Sequence, residues 1–186
     1  MAVWNIIDHL TVGSGGLPVA GYEKTSISQD YDHLCLILSL RSTKSGVGAA
    51  WLSIQVGDGS LDTGNNYSYT YPHTGTGSGG AYYNNAHSDW RYMMANPDGG
   101  YGWSSNWIWI PHYTNTDRYK SIVARNVNQN ASGLDNQAAL QPFYGGLWKS
   151  TDNITNVGLH MHEQGNGYTI KQYSTIDIYG IKASND

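Results

Sequence analysis

The stretch "DHLCLILSLRS", residues 32–42, decides the fold class. Leu34, Leu36, Leu38 and Leu40 fall on one side of an extended chain, and His33, Cys35, Ile37, Ser39 and Arg41 fall on the other. Side chains alternate across a strand with a period of two, so the pattern reads as a long strand with its leucine face toward a core. The same alternation recurs outward from it. "AAWLSIQVGDG" (49–59) sets Leu52, Ile54 and Val56 against Trp51, Ser53 and Gln55 and ends in a Gly-Asp-Gly turn. "NWIWIPHY" (106–113) sets Ile108 and Ile110 against Trp107 and Trp109. "YKSIVARNVN" (119–128), "ALQPFYGGLWKS" (139–150), "TNVGLHMHE" (155–163) and "TIDIYGIK" (175–182) supply further strands. Seven or eight short strands with Gly, Asn and Asp between them, and no helical periodicity, predict an all-β chain: an antiparallel β-sandwich or jelly roll.

Two segments stand apart from this rhythm. Residues 1–20 read as an apolar N-terminal arm, carrying Trp4, Ile6, Ile7 and Leu10, followed by a Gly-Ser-Gly-Gly joint; residues 21–186 read as the sandwich domain. The first segment is either the sandwich's first strand or an arm that docks on a neighbouring subunit. Residues 57–106 are dense in turn residues and are expected to hold long surface loops with one short strand near 67–71.

Composition narrows the function classes. The 186 residues carry 10 Lys+Arg against 14 Asp+Glu, a net charge of −4, and only 13% of them are charged, where about a quarter is usual. No basic stripe suits nucleic acid, and no apolar run reaches the roughly 18 residues of a membrane-spanning helix, so neither nucleic acid nor membrane is expected as a partner. One cysteine, Cys35, excludes an intramolecular disulfide. The opening Met-Ala-Val lacks the basic start and apolar run of a secretory leader, which leads us to expect a soluble chain made in a reducing cytoplasm. The aromatic set is lopsided, with 15 Tyr and 7 Trp but one Phe. Tyr and Trp have an apolar body and a polar edge, which suits sugar-binding platforms and surfaces that pack against neighbours.

Motifs for chemistry are weak. His160 and His162 share one strand face, as two ligands of a metal would. Leu159 and Met161 are their apolar alternates, however, so the pair is expected on an outward face meeting water or a subunit. Glu163 follows directly. His87-Ser88-Asp89 has the residue types of a nucleophilic triad, but a triad converges from separate segments. "GDGSLDTGNN" (57–66) resembles a calcium loop yet has Thr63 where the motif needs Gly and Tyr69 where it needs Glu. No catalytic residue, metal or cofactor is assigned, and the chain is not expected to be an enzyme. Trp107 and Trp109, with Trp103 and Tyr113 nearby, form either an interface patch or a glycan-stacking platform, unless they turn inward.

Five stretches in order, "ISQDYDHLCLILSLRS" (27–42), "WLSIQVGDGSLDTGNNYSY" (51–69), "IWIPHYTNTDRYKSI" (108–122), "GGLWKSTDNITNV" (145–157) and "IDIYGIK" (176–182), resemble a family of small β-sandwich virion proteins of tailed bacteriophages. Two departures stand out: "QVGDG" where Asn is expected before Gly-Asp, and "KQYSTIDIYG" where a Gly-Ser pair is expected before the last strand. The resemblance implies a structural protein of the virion, assembled in the host cytoplasm, without catalytic residues. A compact domain with a short arm suits a head decoration (cement) protein that grips the major capsid protein, or other virion subunits, and its own copies as a homotrimer. Trp4, Ile6, Ile7, Leu10, Trp107, Trp109, His160 and His162 are its expected contact residues. The alternative is a tail or fibre module that binds host-surface glycan through Trp103, Trp107, Trp109 and Tyr113.

Overall fold

The computed structural model describes residues 2–45, 50–75, 78–95, 102–127, 143–162 and 166–183, with side chains at all of these except 72–75, 78–80, 82, 92 and 94. Twelve strands run through the described residues: β1 (Val3–Thr11), β2 (Tyr22–Lys24), β3 (His33–Leu40), β4 (Ala50–Gly57), β5 (Tyr67–Gly75), β6 (Ser78–His87), β7 (Trp90–Ala95), β8 (Ser104–Pro111), β9 (Lys120–Val127), β10 (Phe143–Trp148), β11 (Asn156–Met161) and β12 (Thr175–Lys182). They form an antiparallel sandwich of two unequal sheets. The wide sheet has the order β1-β12-β3-β8-β9-β10-β5-β6, and the narrow one β2-β11-β4-β7.

The alternation read from the sequence places the core. Leu34, Leu36, Leu38 and Leu40 of β3, Ile108 and Ile110 of β8, and Ile176 and Ile178 of β12 face Leu52, Ile54 and Val56 of β4 and Val157 and Leu159 of β11, all buried. Each such aliphatic side chain contributes about 1.5–3 kcal/mol on leaving water. Eight strands over four leave part of the wide sheet overhanging. Tyr69, Tyr71 and Tyr144, on neighbouring strands β5 and β10 of the wide sheet, are buried and stack with ring centroids 5.7–6.3 Å apart. Tyr67 fastens β5 to β4: its hydroxyl accepts the Val56 amide at 3.0 Å and lies 2.8 Å from the Val56 carbonyl, to which it donates.

One expectation changes and one open alternative is decided. Residues 57–106 hold β5, β6 and β7, and part of β8, rather than one short strand; β5 and β6 form a hairpin whose Gly-rich run conceals the alternation, and the partner of β7, β4, lies far away in sequence. Of the two readings of the N-terminal segment, the first strand holds: Val3–Thr11 is an edge strand of the wide sheet, pairing antiparallel with β12 from Val3 opposite Lys182 to Thr11 opposite Thr175, with an irregularity between Ile6 and Asp8. The joint after it is pinned as well, through Val12 N–H to Ser174 O and Leu17 N–H to Ile170 O, both 2.8 Å. The backbone groups along β12 need partners, and β1 supplies them.

Candidate functional site

Pairing across the wide sheet aligns the alternate residues of six strands into rows on its outer face. One row runs Ile6, Tyr179, Cys35, Trp109, Val123, Gly145, and the next His9, Asp177, Ile37, Trp107, Arg125, Phe143. A third begins Trp4, Ile181, His33, Pro111. The inner face of these strands is already committed to the core, so this sheet is largely apolar on both sides, with His9, Asp177 and Arg125 set into the outer one, and within the chain only the inner side is covered. Trp4 (49%), Ile6 (55%), Trp107 (38%) and Phe143 (51%) keep much of their surface in water.

Trp4, Tyr179, His33, Trp109 and Trp107 pack into one layer on this face. Trp107 and Trp109 lie nearly parallel, 8° apart with centroids at 6.0 Å, as i and i+2 on one strand allow. Trp4 of β1 meets Trp109 at 6.5 Å and Tyr179 at 5.9 Å, and His33 meets Trp109 at 4.9 Å. Cys35 sits beneath this layer, fully buried, and its burial pushes the thiol up to about 12. Charge is sparse: His9 pairs with Asp177 at 2.5 Å, and the Arg125 guanidinium lies over the Phe143 ring at 5.7 Å. A face this weakly charged loses little on being desolvated.

The residues singled out from the sequence divide. Trp4, Ile6, Trp107 and Trp109 converge on the face. Ile7 and Leu10 do not, because they pack partly buried against the core. Trp103 precedes β8 and is covered by the Arg41 guanidinium at 5.5 Å. Tyr113 is fully buried, its hydroxyl donating to the Ser28 carbonyl, so it cannot touch a glycan. His160 lies on the narrow sheet, away from the aromatic layer, between buried Leu159 and Met161 as expected. Its side chain is only 12% exposed, against Asp89 at 3.8 Å, rather than open to water or a partner. Burial lowers its pKa, although Asp89 opposes this. Asp89 itself is held by Arg91, with His87 at 3.5 Å. Glu163 lies outside the described residues. Among those described, no three His, Cys, Asp or Glu side chains are grouped to hold a metal.

The calcium-like turn has a different occupation. Asp62 accepts hydrogen bonds from Trp148 Nε1 (2.7 Å), Asn66 Nδ2 (2.9 Å) and the Gly64 amide (2.8 Å). Its burial raises the carboxyl pKa, but these three donors outweigh that and hold it below its ordinary value. The carboxylate latches the β4–β5 turn to the end of β10.

Sequence reasoning missed Ile37, Tyr179, Val123 and Phe143 as members of the face. The available signal was that the second face of β3, β9 and β12 is also partly apolar, although strands covered on one side usually present polar residues on the other.

No family model matches the chain, and no curated protein matches it. Among solved structures, a fructofuranosidase from Schwanniomyces occidentalis, complexed with fructosylnystose, is similar with a TM-score of 0.31 and 8% identity. The match covers 97% of this chain and 34% of that one, so the chain spans about a third of the length of the enzyme it matches. A likeness this distant carries no functional argument.

Proposed function

We propose that the chain is a non-enzymatic structural subunit of a bacteriophage particle, a head decoration protein seated through the outer face of its wide sheet. Its partners are the major capsid protein or other virion subunits and its own copies, arranged as a homotrimer. The observation that carries this reading is a sheet largely apolar on both faces and covered on one. Six strands about 4.8 Å apart and six residues at about 3.4 Å span about 24 by 17 Å, roughly 400 Å². That lies within the about 300–600 Å² of the largest apolar patch on an ordinary monomer, which is often functional, and below the about 800 Å² per partner of a standard interface. One such contact is modest, and many identical contacts on a lattice add up to a firm attachment. The ordered sequence resemblance across residues 27–182 supplies the virion setting.

The test is light scattering of the free chain together with co-sedimentation on decoration-free capsids, for wild type and for Trp4→Ser/Trp107→Ser. The proposal expects a trimer that binds capsids, and a double variant that folds but no longer binds. A monomer indifferent to capsids refutes it. A second reading rests on the parallel pair Trp107 and Trp109, whose rings form an aromatic platform of the kind that stacks on sugar rings. In that case the chain is a tail or fibre module, and a glycan array shows binding that disappears in Trp107→Ser.

A further inference from the structure

At the rim of the aromatic face, where its third row reaches Pro111, the loop between β8 and β9 forms a pocket. We propose that this pocket, lined by Pro111, His112, Asn115, Arg118, Tyr119 and Ser121, binds a saccharide that carries a carboxylate. Its volume is about 340 Å³, within the range of small-molecule sites, about 300–1,000 Å³.

The loop is held in place from several directions. His112 sits in the left-handed region with φ 49°, a conformation that costs a non-glycine residue about 1 kcal/mol or more and persists only when its surroundings impose it. Here its amide donates to His33 Nδ1 at 3.1 Å, and its carbonyl accepts the Asn115 amide at 3.0 Å. Accepting that bond fixes His33 with Nδ1 unprotonated. Tyr113 is buried, and its carbonyl accepts the Ile154 amide at 3.0 Å. Asn115 Oδ1 accepts the Asp117 amide at 2.8 Å. At the far end Lys120 turns inward, 1% exposed, and its ammonium donates to the Arg118 and Thr151 carbonyls, both at 3.1 Å. A buried lysine is expensive unless it is hydrogen-bonded, and this one holds the backbone of the residue that precedes Tyr119.

The side chains left facing out are the ones that recognise such a ligand. Arg118 is exposed and makes no ion pair or side-chain hydrogen bond among the described residues. Tyr119 is 56% exposed. A guanidinium presents a planar fork that matches a carboxylate bidentately, and a phenol ring covers the apolar face of a pyranose. Asn115 and Ser121 offer amide and hydroxyl groups to ring hydroxyls. Because the loop is pinned before any ligand arrives, little ordering entropy is lost on binding. A shallow site of this kind is weak singly, and repeated copies on one particle would raise its avidity.

The experiment is isothermal titration calorimetry of the intact chain with tri-galacturonate and sialyllactose as carboxylate probes. Neutral tri-galactose and inorganic phosphate are the comparisons. At least one acidic sugar is expected to bind with a dissociation constant of about 1 mM or tighter. The neutral sugar is expected to bind at least about tenfold more weakly, and phosphate not to compete. Arg118→Gln and Tyr119→Ala each weaken the acidic sugar about tenfold while leaving the melting temperature unchanged, since both side chains are exposed. Trp107→Ser leaves this binding intact, so the pocket and the sheet face stand or fall separately. No heat from either acidic sugar at about 10 mM, equal binding of the neutral one, or full competition by phosphate overturns the proposal. Indifference to Arg118→Gln overturns it as well.

Discussion

The Asp62 latch gives the sharpest quantitative test. Removing its carboxylate in Asp62→Ala strands the Trp148 indole N–H, whose side chain is 2% exposed, and releases Asn66 and the Gly64 amide, which lie at the surface. A hydrogen bond to a charged acceptor is worth about 1.5–3 kcal/mol, and partial exposure of Asp62 takes the Trp148 bond to the low end, about 1.5 kcal/mol. Two surface bonds add about 0.5 kcal/mol each, so Asp62→Ala is expected to lose about 2.5 kcal/mol. With a urea m-value of about 2 kcal/mol/M, the midpoint falls by about 1.2 M. Trp148→Phe on its own mixes the lost bond with a packing defect, so the assay is a double-mutant cycle of the two changes, with an expected coupling of about 1.5 kcal/mol. The pH dependence provides an independent check. The folded carboxyl is held below its ordinary value, so its stabilisation is fully present above the unfolded pKa of about 3.9 and is lost as pH falls through the lower folded value. The gap between wild type and Asp62→Ala should therefore close under strong acid. A coupling below about 0.5 kcal/mol, or a gap that acid leaves unchanged, refutes the assignment of Asp62 as a charged latch.

Other positions test the packing. A Cβ added at Gly180 of β12 overlaps the Tyr31 ring, so Gly180→Ala should cost about 2 kcal/mol and lower the melting temperature by about 6 °C in a calorimetric scan. Lys120→Met keeps the aliphatic stem but leaves the Arg118 and Thr151 carbonyls without their ammonium donor, a loss of about 1–3 kcal/mol in chemical denaturation. Cys35 is fully covered, with its thiol pushed up to about 12, so reaction with a thiol reagent at pH 8 should proceed only as fast as the chain opens.

Several features were legible locally because the period of two is a property of each strand. β3, β4 and β8 announced both their extended form and their core face, since Leu34-x-Leu36-x-Leu38, Leu52-x-Ile54-x-Val56 and Ile108-x-Ile110 needed no knowledge of a partner. For Trp107 and Trp109 the alternation left both directions open, and the burial of Ile108 and Ile110 decided the outward one. β5, β6 and β7 were hidden because the glycines and turn residues of this run mask the strand preference of its tyrosines, and pairs such as β10 with β5 and β4 with β7 join distant segments. The fate of residues 3–11 was undecidable from composition: an apolar stretch suits a docking arm or an edge strand equally, and only the open edge of β12 made it a strand. Tyr113 and His160 show the same limit, since a polar-tipped side chain carries no sign of whether a neighbouring segment will cover it. Alternation along each strand was written in the sequence. The assembly of Trp4, Tyr179, Ile37, Trp107 and Phe143 into one uncovered face was decided by tertiary structure alone, because register across six strands depends on hydrogen bonding between residues up to about 180 positions apart.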